Sequence, residues 1–157
     1  MHSQIFVTVN KDAALDTSEK ARMYVSHYLA DEGFATEDRF TSSYGDWFLI
    51  GGRWSGLLTD KQHDLLKIYG RPVLGKFKLG DLKIAYGHDD DAQVVTKELY
   101  VRFLKPFEEG AEGIYESDNS EGVLFREKTG GFLDVDYEEV SADFIGKKWL
   151  VLVDLHG

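Results

Sequence analysis

The alternation of apolar and polar residues identifies the first two elements of the chain. Residues Gln4 to Val9 alternate and are rich in β-branched side chains, which predicts a strand. A helix is predicted from Thr17 to Asp31, because apolar residues recur there at helical spacing on one face: Ala21, Tyr24, Val25, Tyr28 and Leu29. Asp16 and Glu19 have the spacing of a capping box at its start, and Gly33 is the predicted stop.

Later elements are predicted from a long apolar run and from charge placement. The run Trp149 to Leu155 is almost entirely apolar, which predicts a central strand buried on both faces. Residues Ala92 to Leu104 are predicted to form a helix, because three aspartates precede them and favour a helix N-terminus. A strand over Leu99, Val101 and Phe103 is the open alternative. Weaker patterns predict a loop at 35–45, a helix at 61–69, strands at 73–79 and 82–86, a surface excursion at 108–121, and a hairpin of 122–126 with 132–136.

Together these elements predict an α+β fold. A chain of 157 residues is the size of a single domain, residues 1–157, and can bury a useful core. Strands at both ends with helices between them indicate a mainly antiparallel sheet with helices packed on one face. A ferredoxin-like arrangement is the named fold that fits this order best.

The segment GDWFLIGGRWSGLL, residues 45–58, places a glycine pair between two apolar runs. Gly51 and Gly52 fit the two-residue loop of a β-hairpin, because tight primed turns need positive φ angles that glycine adopts at little cost. In that register Trp54 lies on a core face and Arg53 on the opposite face. The hairpin therefore separates the two side chains that a nucleotide site would use together, a guanidinium for phosphate and an indole for a base.

Composition and charge narrow the classes of function. The chain has no cysteine, which excludes thiolate catalysis and cysteine-based metal sites. It has neither an apolar run of the roughly 20 residues that a membrane span needs nor a signal-peptide start, so a cytosolic protein without membrane association is expected. The formal charge of -10 lies within residues 106–143, where 12 acidic residues accompany two basic ones. This acidic segment argues against direct nucleic-acid binding and indicates either a basic partner or a solvated face.

Few residues indicate chemistry. Asp154 and His156 share a face of the last predicted strand, and a carboxylate beside an imidazole is a usual part of a proton-transfer or metal site. Residues His88 to Asp91 lack the spacing of a calcium loop, so helix capping is the simpler interpretation. The GxxxxGK pattern at 70–76 is not a phosphate-binding loop, because Phe77 replaces the Ser or Thr that would hold magnesium. The five histidines show no metal-ligand spacing, and the sequence assigns no catalytic residue, metal or cofactor.

The residues Asp46 to Gly56 resemble an aromatic-rich I-G-G-R-W-x-G signature of small uncharacterised phage and bacterial accessory proteins. The resemblance covers about a dozen residues and the chain ends, where the last strand ends in Asp154-Leu155-His156. A fainter similarity, limited to Gly52-Arg53-Trp54, is to acidic antirestriction proteins that mimic DNA. These resemblances imply phage–host accessory biology, in the host cytosol for a phage-encoded protein, and no stated activity.

The leading expectation is a non-catalytic accessory protein that acts by binding and inhibits a host defence protein through its acidic surface. The candidate partner-binding residues are Glu116, Asp134, Asp136, Glu138 and Glu139. The alternative is a nucleotide-binding or nucleotide-processing domain. There Arg53 contacts phosphate, Trp54 stacks a base, and Asp154 with His156 provides a proton acceptor or metal ligand. A structural, oligomer-forming protein is the third possibility.

Overall fold

The computed structural model describes residues 2–31, 47–63, 87–108, 122–126 and 140–156. Five strands form one sheet: β1 (His2–Asn10), β2 (Trp47–Ile50), β3 (Ala92–Val94), β4 (Gly122–Arg126) and β5 (Lys148–His156). Helix α1 spans Ser18–Asp31, and a second helical segment, α2, runs through Lys97–Leu99, the wider π-helical turns Tyr100–Leu104, and Lys105–Glu108. The predicted α+β fold with a mainly antiparallel sheet is therefore confirmed.

Strand β5 lies inside the sheet, as its apolar sequence predicts. It pairs antiparallel with β1 along its whole length, and β1 pairs parallel with β4 on its other side. Two short strands pair with the other edge of β5, one after the other along its length, and both are antiparallel to it. Residues 47–50 of β2 face residues 153–156, and residues 92–94 of β3 face residues 149–151. The chain thus leaves this edge after Ile50 and returns to it at Ala92.

Helical segments cover both faces of the sheet. Ala21 and Val25 of α1 pack with Ile5 on one face, whereas Leu104 of α2 packs with Phe6 on the other. The prediction of helices on one face only is therefore wrong. Its physical reason lies in β5, whose residues from Leu150 to Val153 are buried on alternating sides, so each face needs an apolar cover.

Helix α1 has nearly the predicted bounds, but its N-terminal cap differs. The Oγ1 atom of Thr17 accepts a hydrogen bond from the Lys20 N–H at 3.2 Å, so Thr17 is the capping residue. Asp16 instead forms an exposed ion pair with the Lys20 ammonium at 2.8 Å. This pair lowers the Asp16 pKa, through the hydrogen bond from Lys20 and then through its charge.

The prediction for residues 92–104 is right for only part of its length. Ala92 to Val94 form β3, and the helix begins after Thr96, whose Oγ1 accepts a hydrogen bond from Leu99 N at 3.2 Å. The alternative strand over Leu99, Val101 and Phe103 is wrong. The apolar residues of 92–104 have helical spacing, so the sequence does not show the strand of three residues at its start. That strand is stabilised by pairing with β5, which is distant in the sequence.

Several predicted features fall outside the described residues. These are the stop at Gly33, the loop at 35–45, most of the helix at 61–69, both strands between 73 and 86, nearly all of the excursion at 108–121, and the strand at 132–136. Residues 122–126 do form a strand, β4, which pairs parallel with β1. In the part of the chain that the structure describes, no helix is both long and apolar enough to span a membrane.

Candidate functional site

The glycine pair lies where the chain leaves the sheet, and the predicted hairpin is wrong. The Gly51 N–H donates to the Leu152 carbonyl at 2.7 Å, and Gly52–Trp54 then form a 3-10 turn. Both glycines have the positive φ that was expected, 76° and 53°. The chain does not return as a strand, because N–H groups that a hairpin ladder would use, such as that of Arg53, donate to buried carboxylates instead.

One of these carboxylates belongs to Asp91, which is fully buried below the loop. Its Oδ2 accepts from Ser55 Oγ at 2.7 Å and from His88 N at 2.8 Å, and its Oδ1 accepts from Gly56 N at 2.9 Å. A buried carboxylate is tolerated only with such donors around it. The segment 51–56 therefore binds an anion, but the anion is a side chain of the same protein.

The second buried carboxylate, Asp154, explains the requirement for glycine. Asp154 Oδ2 accepts from Arg53 N at 2.9 Å. A Cβ atom on Gly52 would lie within 3.0 Å of Cβ, Cγ and Oδ2 of Asp154, and one on Gly51 would lie within 3.0 Å of the carboxyl carbon and both oxygens of Asp91. Each glycine therefore has two reasons to be glycine, its φ angle and the closeness of a carboxylate.

The residues predicted for a nucleotide site come together only in part. Arg53 is exposed, and its guanidinium carbon lies 5.7 Å from the centre of the Trp54 ring, so these two side chains are neighbours. The Asp154 carboxylate is fully buried and is bound by the backbone of Arg53. The backbone of His156 ends β5, and its side chain lies outside the described part of the structure.

The turn His88 to Asp91 connects three parts of the fold. Asp91 is bound by the 51–56 loop, as above, and Asp89 pairs with the buried guanidinium of Arg22 on α1. The His88 Nδ1 atom accepts from Asp90 N at 3.1 Å, which caps the 3-10 turn Asp89–Asp91. The aspartates do not cap the following helix α2, whose capping residue is Thr96. Capping therefore does occur here, but His88 caps the short 3-10 turn itself and not the helix that follows.

Asp90 completes a cluster with two histidines. Its Oδ2 lies 2.8 Å from His63 Nε2 and 3.3 Å from His88 Nδ1. The two imidazole rings stack with their centres 4.0 Å apart. The Lys61 ammonium lies 3.9 Å from Asp90 Oδ1. Side-chain exposure is 12% for Asp90, 29% for His63 and 46% for His88, so the carboxylate is covered and the imidazoles reach solvent.

Two opposing effects act on the pKa of Asp90. Burial raises it, but the hydrogen bond from His63, together with the charges of Lys61, His88 and His63, outweighs burial and lowers the pKa below its usual value. Asp90 is thus held as a carboxylate, the form that accepts hydrogen bonds from imidazole and that coordinates metal ions.

The cluster fits the donor set of a transition-metal site. One donor atom from each of His63, His88 and Asp90 lies within 4.8 Å of the others. Donor atoms at 2.0–2.1 Å from a tetrahedral ion are separated from one another by about 3.3 Å. The separations of 2.8 and 3.3 Å already approach that value. An ion would take the His88 Nδ1 lone pair in place of the hydrogen bond from Asp90 N.

Sequence reasoning considered the turn at 88–91 but missed His63. This histidine follows the loop of residues 51–62 and lies 25 positions before His88, so no local spacing links them. The Ser55 carbonyl accepts a hydrogen bond from His63 N, which holds that end of the loop. The signal in the sequence, two histidines with an aspartate two residues after the second, becomes meaningful only once the loop is folded.

The acidic residues proposed for partner binding, which are Glu116, Asp134, Asp136, Glu138 and Glu139, lie outside the described residues, as does the GxxxxGK pattern at 70–76. Comparison with protein-family models, curated proteins and solved structures finds no match for this chain. No family is therefore assigned. The resemblance to phage and bacterial accessory proteins stays a prediction.

Proposed function

We propose that this protein binds a divalent transition-metal ion through His63, His88 and Asp90. The observation that carries the proposal is the mutual approach of one donor atom from each of the three residues, within 4.8 Å. Two imidazole nitrogens and one carboxylate oxygen favour zinc, cobalt, nickel or copper over magnesium and calcium, which prefer oxygen ligands alone.

The position of the ligands supports a role for the metal in joining two segments. His63 ends the loop that follows β2, whereas His88 and Asp90 belong to the turn that precedes β3. Asp91, next to Asp90, already accepts hydrogen bonds from that loop at Ser55 and Gly56. A bound ion would add a second connection beside the first, and it would stabilise the folded state in proportion to its affinity.

The proposal is tested by calorimetric titration of Zn²⁺ into the full chain after treatment with EDTA. We expect one ion per chain with a Kd that is roughly micromolar or tighter. His63→Ala and His88→Ala should abolish binding, whereas His27→Ala, which removes an exposed histidine of α1, should bind like the wild type. Circular dichroism of each variant checks that it is folded. A wild-type chain that does not bind, or a His63→Ala chain that binds as well as the wild type, would overturn the proposal.

The accessory function expected from the sequence is a separate proposal. In it, residues 106–143 bind a basic surface of a host protein without catalysis, supported by the confinement of the net charge of -10 to this segment. Complexes recovered from a host extract should weaken with added salt and with reversal of charge at Asp136, Glu138 and Glu139. A complex that is insensitive to both changes would contradict it.

The nucleotide alternative has less support from the geometry. An exposed Arg53 beside Trp54 is consistent with it, but Asp154 is buried and accepts a hydrogen bond from the loop. A panel of nucleotides and cyclic dinucleotides should raise the Tm of the wild type and not of Arg53→Ala if the alternative is correct. A flat response of the wild type would remove it.

We also propose that the whole chain forms a single domain of ferredoxin-like type. In support, the first strand lies between the last strand, which is antiparallel to it, and a parallel strand joined to it through a helix-containing connection. The short strands β2 and β3 on the far edge of β5, and the helices on both faces, are additions to that arrangement.

A further inference from the structure

We propose that the metal ion at His63, His88 and Asp90 has an exchangeable coordination position that binds an anionic oxygen ligand, a carboxylate or a phosphate, with Lys61 beside it. This inference rests on the proposed metal site. It adds to that site a class of ligand, the oxyanions, and a residue that favours their binding, Lys61.

The number of donors supports an exchangeable position. The described part of the chain contributes three donor atoms, and zinc-like ions with three protein ligands complete a tetrahedron with water or substrate. The half-exposed imidazole of His88 and the partly exposed imidazole of His63 place the cluster at the surface, so a small ligand reaches the ion without rearrangement of the fold.

The surrounding charges favour an anion at that position. Lys61 Nζ lies 3.9 Å from Asp90 Oδ1, and its side chain is 64% exposed. A divalent ion next to this ammonium gives the cluster a net positive charge, since Asp90 contributes only one negative charge. The two described carboxylates on either side of Asp90 do not cancel it locally, because Asp89 pairs with Arg22 and Asp91 is enclosed by its own three donors. An oxyanion bound to the ion would also attract the ammonium of Lys61.

Lys61 is therefore expected to have opposite effects on the two binding steps. Its positive charge repels the incoming ion and competes for Asp90, so Lys61→Met should bind Co²⁺ more tightly than the wild type. The same charge attracts the oxyanion, so Lys61→Met should bind phosphate and acetate roughly five-fold more weakly. A residue that only supported the fold would weaken both steps together.

The test uses the full chain loaded with Co²⁺, whose visible absorption reports both binding and coordination. Titration with inorganic phosphate and, separately, with sodium acetate should change the spectrum in a saturable way, and Lys147→Met, which removes another exposed lysine, should behave like the wild type. A Co²⁺ spectrum that neither anion changes would overturn this inference and leave the metal site standing. A chain that binds no Co²⁺ would contradict the proposed function itself, and an unchanged anion affinity in Lys61→Met would remove Lys61 from the proposal.

Discussion

Gly51 lies directly against the carboxylate of Asp91, a residue 40 positions later in the chain. The two are so close that a Cβ atom at position 51 would overlap the carboxylate. This close approach of the Gly51 backbone to the Asp91 carboxylate joins the end of β2 to the turn that precedes β3. It fixes the loop of residues 51–56 over a buried negative charge. The same loop leads to His63, so the position of the candidate metal ligand depends on this packing.

The first prediction concerns Gly51 itself. Gly51→Ala should destabilise the protein by at least about 2 kcal/mol more than Gly146→Ala. Both positions have positive φ, 76° and 77°, so both variants lose roughly 1 kcal/mol through backbone strain. Gly146 has no atom within 4 Å of the added Cβ, whereas at Gly51 that atom would meet Asp91. Urea unfolding of the two variants measures the difference, and equal free energies of unfolding would contradict the close contact.

The second prediction concerns the buried Asp91 carboxylate. Asp91→Asn should cost about 3 kcal/mol of stability, because in either orientation the amide directs its NH2 group toward a backbone N–H donor, that of Gly56 or that of His88. The same substitution at exposed Asp143 is the matched control and should cost less than about 0.5 kcal/mol. If thermal and urea unfolding show similar small losses of stability for both variants, the hydrogen bonds to Asp91 do not stabilise the loop.

A double-mutant cycle separates the contribution of Ser55 from general damage to the loop. Ser55 Oγ donates to Asp91 Oδ2 at 2.7 Å, so the effects of Ser55→Ala and Asp91→Asn should not add. We expect a coupling free energy of about 1 kcal/mol. Strict additivity would mean that this hydrogen bond contributes nothing to the free energy of unfolding.

The third prediction concerns pH. Because the pKa of Asp90 is lower in the folded chain than in the unfolded chain, its ionised form stabilises the fold above about pH 4, and this contribution is lost as the pH falls through the folded-state pKa. Asp90→Asn should therefore be less stable than the wild type by about 1 kcal/mol at neutral pH. The difference should shrink as the pH falls below about 4. Urea unfolding at a series of pH values in EDTA measures it, and a difference that grows as the pH falls below about 4 would have the wrong sign.

The sequence predicts the elements whose packing is regular along the chain. Helix α1 and strand β1 follow from local periodicity, and the burial of β5 follows from its apolar run. The pattern does not predict that β2 and β3 share one edge of β5, because the paired residues are more than 50 positions apart for β3 and more than 100 apart for β2, and such distant pairing is not visible in the local sequence. β3, with three residues, is too short to show an alternation that differs from helical spacing.

The glycine pair shows why the candidate site was harder to predict than the fold. The positive φ angles of Gly51 and Gly52 are predicted correctly from the sequence. The same angles, however, are compatible both with a hairpin turn and with a chain that leaves the sheet after β2. What decides between them is the pair of buried carboxylates, Asp91 and Asp154, which capture the loop N–H groups. Their approach, and that of His63 to Asp90, is a product of tertiary packing.

The fourth prediction links the metal to stability. Excess Zn²⁺ should raise the Tm of the wild type and leave that of His63→Ala unchanged, because an ion bound only in the folded state stabilises that state by mass action. At a concentration of free ion 100 times the Kd, the gain is about 2.7 kcal/mol. An equal shift in both proteins would show that Zn²⁺ acts elsewhere on the chain, and His27→Ala is the control that should shift like the wild type.

The most direct test of the metal site is diffraction from crystals of the Zn²⁺-loaded protein at the zinc absorption edge. An anomalous peak is expected between His63, His88 and Asp90, at about 2.0–2.2 Å from an imidazole nitrogen of each histidine and from a carboxylate oxygen. A zinc-loaded crystal whose anomalous density is absent from this cluster, or lies at other residues, would contradict the account.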